Sequence, residues 1–138
     1  MSIKSLAHVC VKTRDLQRTL DFYCGALGMQ KLFNFTRIGE MIGFYLKASN
    51  NTFIEVFRTG DTVPTTDVQI LSHFCFETDS IEELRQTLVE HGYAPREIIM
   101  GADNALQFWT QDPNGLEIEF QQYTEHSSQF SGKNVEVN

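Results

Sequence analysis

The stretch Ala7-His8-Val9-Cys10-Val11-Lys12-Thr13 returns 65 residues later as Ser72-His73-Phe74-Cys75-Phe76-Glu77-Thr78. A second pair follows at nearly the same offset. Phe53-Ile54-Glu55-Val56-Phe57 aligns with Glu117-Ile118-Glu119-Phe120-Gln121 at 64, and Gly28 aligns with Gly92 at 64. Self-similarity at a fixed offset is a fold-level signal. Two copies of such a long unit predict two similar halves in one chain, packed within a molecule or exchanged between protomers.

The elements between these anchors follow the same order twice. Residues 3–12 are rich in β-branched and small apolar side chains and predict a strand. Thr13 or Asp15 offers an N-cap, and Leu16, Leu20, Tyr23 and Leu27 recur at helical spacing, so a helix is expected over 15–27, closed by Gly28. Strands are expected near 30–37, 41–48 and 52–58, and residues 59–67 read as a linker. The pattern then restarts: a strand over 69–77, a helix over 81–91, and strands near 95–100, 105–111 and 116–122. Asp112-Pro113-Asn114-Gly115 is a strong turn signal before the last strand. The reading is α+β, two tandem βαβββ modules at 1–60 and 61–123 with a polar tail at 124–138, together one domain. For that tail, a flap and simple disorder both stand open.

Composition sets the outer bounds. A chain of 138 residues with 41% hydrophobic content is long and apolar enough for a core of its own. The net charge of −7, with no basic run, speaks against nucleic acid and against an anionic membrane surface as partners. No apolar stretch approaches the ~20 residues of a membrane span, and no signal peptide is expected at the N-terminus. Cys10, Cys24 and Cys75 form an odd set without metal-type spacing, which predicts a reduced, cytoplasmic protein.

Strand alternation separates the chemistry from the core. Val9 and Val11, Ile54 and Val56, Phe74 and Phe76, and Ile118 and Phe120 make apolar faces. The opposite faces carry His8, Glu55, His73 and Glu119, with His and Glu 47 residues apart in the first half and 46 in the second. If a pseudo-twofold relates the halves, these four groups converge. Two imidazoles and two carboxylates suit a borderline divalent ion such as Ni, Zn, Co, Mn or Fe. Glu117 reads as an ordinary solvated carboxylate, His91 as a helix C-terminal cation, His126 as exposed, and Cys10 and Cys75 as small core residues.

Ala7-His8-Val9, the run from Asp15-Leu16 through Phe22-Tyr23 to Leu27-Gly28, and Asp112-Pro113-Asn114-Gly115-Leu116-Glu117-Ile118-Glu119 resemble the vicinal oxygen chelate superfamily. That group embraces glyoxalase I, methylmalonyl-CoA epimerase, extradiol dioxygenases and bleomycin or fosfomycin resistance proteins. The resemblance spans residues 3–122 and implies a glyoxalase-like fold, a curved mixed sheet around a central cleft, and a homodimer. All four superfamily ligand positions carry ligand-type residues here, His8, Glu55, His73 and Glu119, which looks most like glyoxalase I. The resemblance implies a metal-dependent lyase or isomerase that moves a proton beside a carbonyl through an enediolate, on a small 2-oxo or 2-hydroxy compound. In that reading Glu119 is the base and Glu55 its counterpart that returns the proton. Lys12, Phe57, Trp109, Asp103 and Asn104 are the candidate substrate contacts; Phe53, Phe57, Phe108 and Trp109 read equally as cavity walls or as ordinary core or dimer packing. Lys12 stands where glyoxalase I carries Arg, and Thr59 where it carries Asn. Both departures weaken the match to glutathione as cosubstrate, since Lys lacks the bidentate fork of Arg. The alternatives are a small-molecule binding or resistance protein without turnover, an epimerase, and an Fe(II) dioxygenase.

Overall fold

A computed structural model describes residues 6–59 and 73–135, which fall into two compact units. The expected linker after Thr59, and the start of the expected strand over 69–77, lie outside the described residues.

The first unit begins with β1 (His8–Thr13), continues into α1 (Leu16–Leu20) and a π-helical segment (Asp21–Ala26), and ends in β2 (Gln30–Arg37), β3 (Glu40–Lys47) and β4 (Phe53–Arg58). The sheet order is β1-β4-β3-β2, with β1 parallel to β4 and the other pairs antiparallel. Asp15 is the N-cap: its Oδ1 accepts the Arg18 N–H at 3.0 Å. The helix expected over 15–27 is α-helical only for its first five residues. It then widens, and the Leu27 N–H reaches back to the Phe22 carbonyl at 3.0 Å. Phe22 and Tyr23, neighbours in sequence, are both fully buried there, with their rings 4.9 Å apart. Apolar spacing marks the buried side of a helix but does not separate 3.6 residues per turn from the wider π turn.

Phe22, Tyr23, Phe44, Leu46, Ile54 and Val56 form the buried core of this unit. Gly43 in β3 has no room for a side chain, because a Cβ would run into the Val56 carbonyl of the neighbouring strand. The β2–β3 connection is the two-residue turn Ile38-Gly39, and both residues have positive φ, 50° and 74°. Two-residue hairpins favour such primed turns, and Gly39 suits one. Ile38 does not: it is β-branched, left-handed and fully exposed.

The second unit holds β5 (His73–Glu77), α2 (Ile81–Glu90), β6 (Ile99–Met100), β7 (Leu106–Gln111), β8 (Glu117–Gln122) and α3 (Ser128–Ser131). Its sheet order, β5-β8-β7-β6, repeats the first, with β5 parallel to β8. Ile81 and Leu88 of α2 are buried together with Phe74, Phe108, Ile118 and Phe120 of the sheet. The turn before β8 forms as expected: Asp112 Oδ1 accepts the N–H groups of Asn114 and Leu116 at 2.8 and 3.0 Å, and Gly115 has φ 83°.

One expectation is corrected in this unit. The strand near 95–100 shortens to two residues. Pro95 has no N–H to give a ladder, and Arg96 makes one bond to the Trp109 carbonyl before the chain pairs again at Ile99. The tail, without a clear period in the sequence, forms α3 after the buried Ser127. Of the two readings of Phe108, the core one holds: it is fully buried against Phe120, ring centroids 4.8 Å apart.

Ile38→Asn removes a β-branched residue from a left-handed position. It is expected to stabilise the protein by about 1 kcal/mol, seen as a rise of roughly 2–4 °C in the thermal midpoint. An unchanged or lower midpoint would show that the turn carries no strain.

Candidate metal and acid–base site

The site rests on register. In the parallel β1–β4 pair, Cys10 lies opposite Glu55; in β5–β8, Cys75 lies opposite Glu119. A histidine two residues before each cysteine points to the same face. The result is the same contact in both units. His8 Nε2 is 3.3 Å from Glu55 Oε2, and His73 Nε2 is 3.4 Å from Glu119 Oε2. Ligands bound at about 2.0–2.1 Å with angles between octahedral and tetrahedral stand about 2.9–3.4 Å apart, so each pair fits one edge of a divalent-ion site. Within each unit, the imidazole and the carboxylate are donors of the kind a borderline divalent ion takes. Among the described residues, no group of three or more His, Cys, Asp or Glu side chains is placed to hold one.

The antiparallel neighbour adds an aromatic ring to each pair. Tyr45 lies opposite Glu55 and Trp109 opposite Glu119. Tyr45 Oη is 3.5 Å from His8 Nδ1, while the His73 and Trp109 rings meet edge to face at 4.7 Å. Trp109 is an expected site residue. Tyr45 is not, although an offset of 64 between the two is the signal that marks it. Around Tyr45 the first unit is aromatic: Phe33 and Phe53 stack on it at 4.8 and 5.4 Å, and Phe35 stacks on Phe57 at 4.5 Å. Lys12 is half-buried and lies opposite Phe57.

The second unit differs. Gln121 stands where the first unit has Phe57, and its Nε2 donates to Glu119 Oε1 at 3.1 Å and to Asp103 Oδ2 at 3.2 Å. Asp103 also accepts Gln129 Nε2 at 2.7 Å and the Ala105 N–H at 3.2 Å. Asn104 has φ 62°, and its carbonyl accepts the hydroxyls of Thr124 and Ser127 at 2.7 and 3.0 Å. The Asp103-Asn104 turn thus docks the C-terminal segment. Glu117 is not a free surface carboxylate: Arg96 and Gln111 bind its Oε1 at 3.1 and 2.9 Å.

The thiols on these faces are poor nucleophiles. Burial, then the neighbouring Glu55, raises the Cys10 pKa; burial, then Glu119, pushes Cys75 up to about 12. Neither is a thiolate at neutral pH. Cys75 is also more exposed than a core cysteine should be.

Residues 5–120 match the Glyoxalase/Bleomycin resistance protein/Dioxygenase superfamily, and the chain belongs to it. Solved structures agree with that assignment. A glyoxalase family protein from Enterococcus faecalis is 25% identical, with a TM-score of 0.73 over 88% of this chain and 99% of that one. An integron cassette protein from the mobile metagenome of V. cholerae is 26% identical, with a TM-score of 0.70 over 90% of this chain and 98% of that one. A lactoylglutathione lyase from Agrobacterium tumefaciens shares the fold at 14% identity, with a TM-score of 0.69 over 88% of this chain and 96% of that one. No curated protein matches. Members of the superfamily commonly bind a divalent metal, many are dimers, and lactoylglutathione lyase is among its enzymes.

Burial raises the Asp103 pKa, but the bonds from Gln129, Ala105 and Gln121 outweigh it and hold the carboxyl below its ordinary value. A carboxylate depressed on folding adds stability above its unfolded pKa and loses it as pH falls through the folded value. Asp103→Asn is therefore expected to lower the thermal midpoint by roughly 2–4 °C at pH 7, allowing for solvent screening. The difference should shrink in acid as pH falls through the folded-state value, which lies below the ordinary carboxylate range. An equal loss at pH 7 and in acid would show that charge is not what matters there.

Proposed function

We propose that His8, Glu55, His73 and Glu119 hold one divalent ion, Ni, Zn, Co, Mn or Fe, and that the protein is a metal-dependent lyase or isomerase of the glyoxalase I type. The observation that carries this is the same imidazole–carboxylate edge, 3.3 and 3.4 Å, built twice by the same register. The ligands come from one chain or from two copies in a homodimer. The substrate class is a small 2-oxo or 2-hydroxy compound, and the compartment is the cytoplasm, which suits three free cysteines.

A bound divalent ion would supply Lewis-acid polarisation of adjacent substrate oxygens. The protein's own part is proton transfer. Glu119, as carboxylate, takes the proton from the carbon beside the carbonyl and becomes the acid; Glu55, entering the cycle protonated, gives its own proton to the neighbouring carbon, and exchange with solvent resets both groups. Carboxylates suit this role when half-buried side chains exclude bulk water around them. Lys12 meets a negative group of the substrate, while Trp109 and Phe57 flank its apolar part. Asp103 and Asn104 act through the C-terminal segment rather than by touching substrate. Glutathione remains a cosubstrate to test, with Lys12 in place of the guanidinium that would clasp its carboxylate in two bonds.

A second reading has its own support. The stacked rings of Phe33, Tyr45, Phe53, Phe35 and Phe57 are the surface a binding protein without turnover would offer to an apolar or planar molecule.

Metal analysis of the purified protein, with turnover of the methylglyoxal–glutathione hemithioacetal under Ni, Zn, Mn and Fe supplementation, separates the readings. Bound metal is expected, and turnover of this compound would establish glutathione as the cosubstrate. Glu119→Gln should retain metal and lose roughly 100-fold or more in rate. Absence of metal under every supplement would sink the enzyme and leave the binding protein. Metal without turnover of this compound would move the substrate to another 2-oxo or 2-hydroxy acid.

A further inference from the structure

We infer that Gln121 is a positioning residue for Glu119, and that the C-terminal segment secures it through Asp103. The inference rests on the metal reading of the site given above.

The chemistry of the contacts fixes the geometry. Asp103 Oδ2 and Glu119 Oε1 are oxygens of carboxylates, which only accept hydrogen bonds when ionised. The group that faces both must be the NH₂ of Gln121, and it donates one hydrogen to each, at 3.2 and 3.1 Å. The amide therefore cannot turn over without losing both bonds. Glu119 is left with Oε1 committed to Gln121 and Oε2 facing His73 Nε2. That arrangement presents one oxygen to an ion, and holds the carboxylate against rotation.

Asp103 is itself anchored on both oxygens. Oδ1 accepts the Ala105 N–H, and Oδ2 accepts Gln129 Nε2 at 2.7 Å. Its carbonyl accepts the Ser128 N–H at 2.8 Å. The path runs from α3 through Asp103 and Gln121 to Glu119. Burial keeps its inner half in place: Glu119 and Gln121 are 7% and 8% exposed, so water competes little for these bonds. In the first unit, Phe57 stands at the equivalent position and offers no donor to Glu55. Positioning of this kind is thus specific to the second carboxylate.

Outer-shell partners of a metal ligand are commonly worth 10–100-fold in metal affinity. The test is titration of the full-length apoprotein with Ni(II) by calorimetry, together with the visible absorption spectrum of the protein loaded with Co(II). Gln121→Met keeps the length of the side chain and removes the donors. It is expected to weaken Ni(II) binding about 10–100-fold and to shift the Co(II) bands. Gln129→Ala lies on the exposed helix and leaves the core intact, so it stands in if Gln121→Met does not fold. It is expected to weaken Ni(II) binding about threefold or more, with the apoprotein still folded, in proportion to its place further out on the path. Wild-type affinity and an unchanged Co(II) spectrum in folded Gln121→Met would overturn the positioning role. Wild-type affinity in Gln129→Ala would overturn the link to α3. If the unaltered protein takes up no Ni(II) or Co(II), the metal reading fails and this inference with it, an outcome distinct from the others.

Discussion

The structure depends on one constraint, the register of two parallel strand pairs. Parallel strands hold facing residues on the same side, and a slip by one residue would turn every side chain to the other face. With Cys10 opposite Glu55 and Cys75 opposite Glu119, each imidazole lies diagonal to a carboxylate at contact distance. The same register sends Ile54, Val56, Ile118 and Phe120 to the buried side. Core and site are therefore specified by one choice, and the hydrophobic effect that fixes the core also sets the ligand geometry.

The ligands are repeated, but their surroundings are not. In the first unit, β2, β3 and β4 supply Phe33, Phe35, Tyr45, Phe53 and Phe57, a set of rings in contact with one another. In the second unit, the equivalent region carries Gln121 and the Asp103 turn, bound to the C-terminal segment. One carboxylate has rings about it, and the other has one oxygen tied to an amide. The two carboxylates, alike in type and register, thus stand in unlike settings.

Much of this was legible in the residues because it follows from periodicity. The repeat at 64 to 65 gave the doubled strand order, and period-2 alternation put His8, Glu55, His73 and Glu119 on the faces away from the core. The turn at Asp112 was readable because the Asp side chain, a Pro and a positive-φ Gly each leave a local signature. Other features were not local. The π turn after Leu20 depends on how Phe22 and Tyr23 share the core, which spacing does not reveal. The short β6 depends on how Pro95 and Arg96 meet β7. Gln121 lies on the right face by alternation, but its role needs Asp103, 18 residues away, and the helix that follows. The superfamily resemblance carried the fold and the family, while the side chains that surround the two His–Glu pairs were visible only in the structure.

That division bears on how far fold membership can lead. The superfamily scaffold delivers an imidazole and a carboxylate side by side in each unit, and this geometry alone is compatible with isomerase, lyase and oxygenase chemistry. What distinguishes them is which oxygens stay fixed and which can move, and what the neighbouring surface will accept. Here Lys12 provides charge without a planar fork, the rings beside Glu55 favour an apolar group, and the amide of Gln121 restrains Glu119. A carboxylate tied in this way has fewer orientations open to it than one without such a partner. What sets this chain apart therefore lies in residues beside the two His–Glu pairs, on the strands and in the C-terminal segment that contact them.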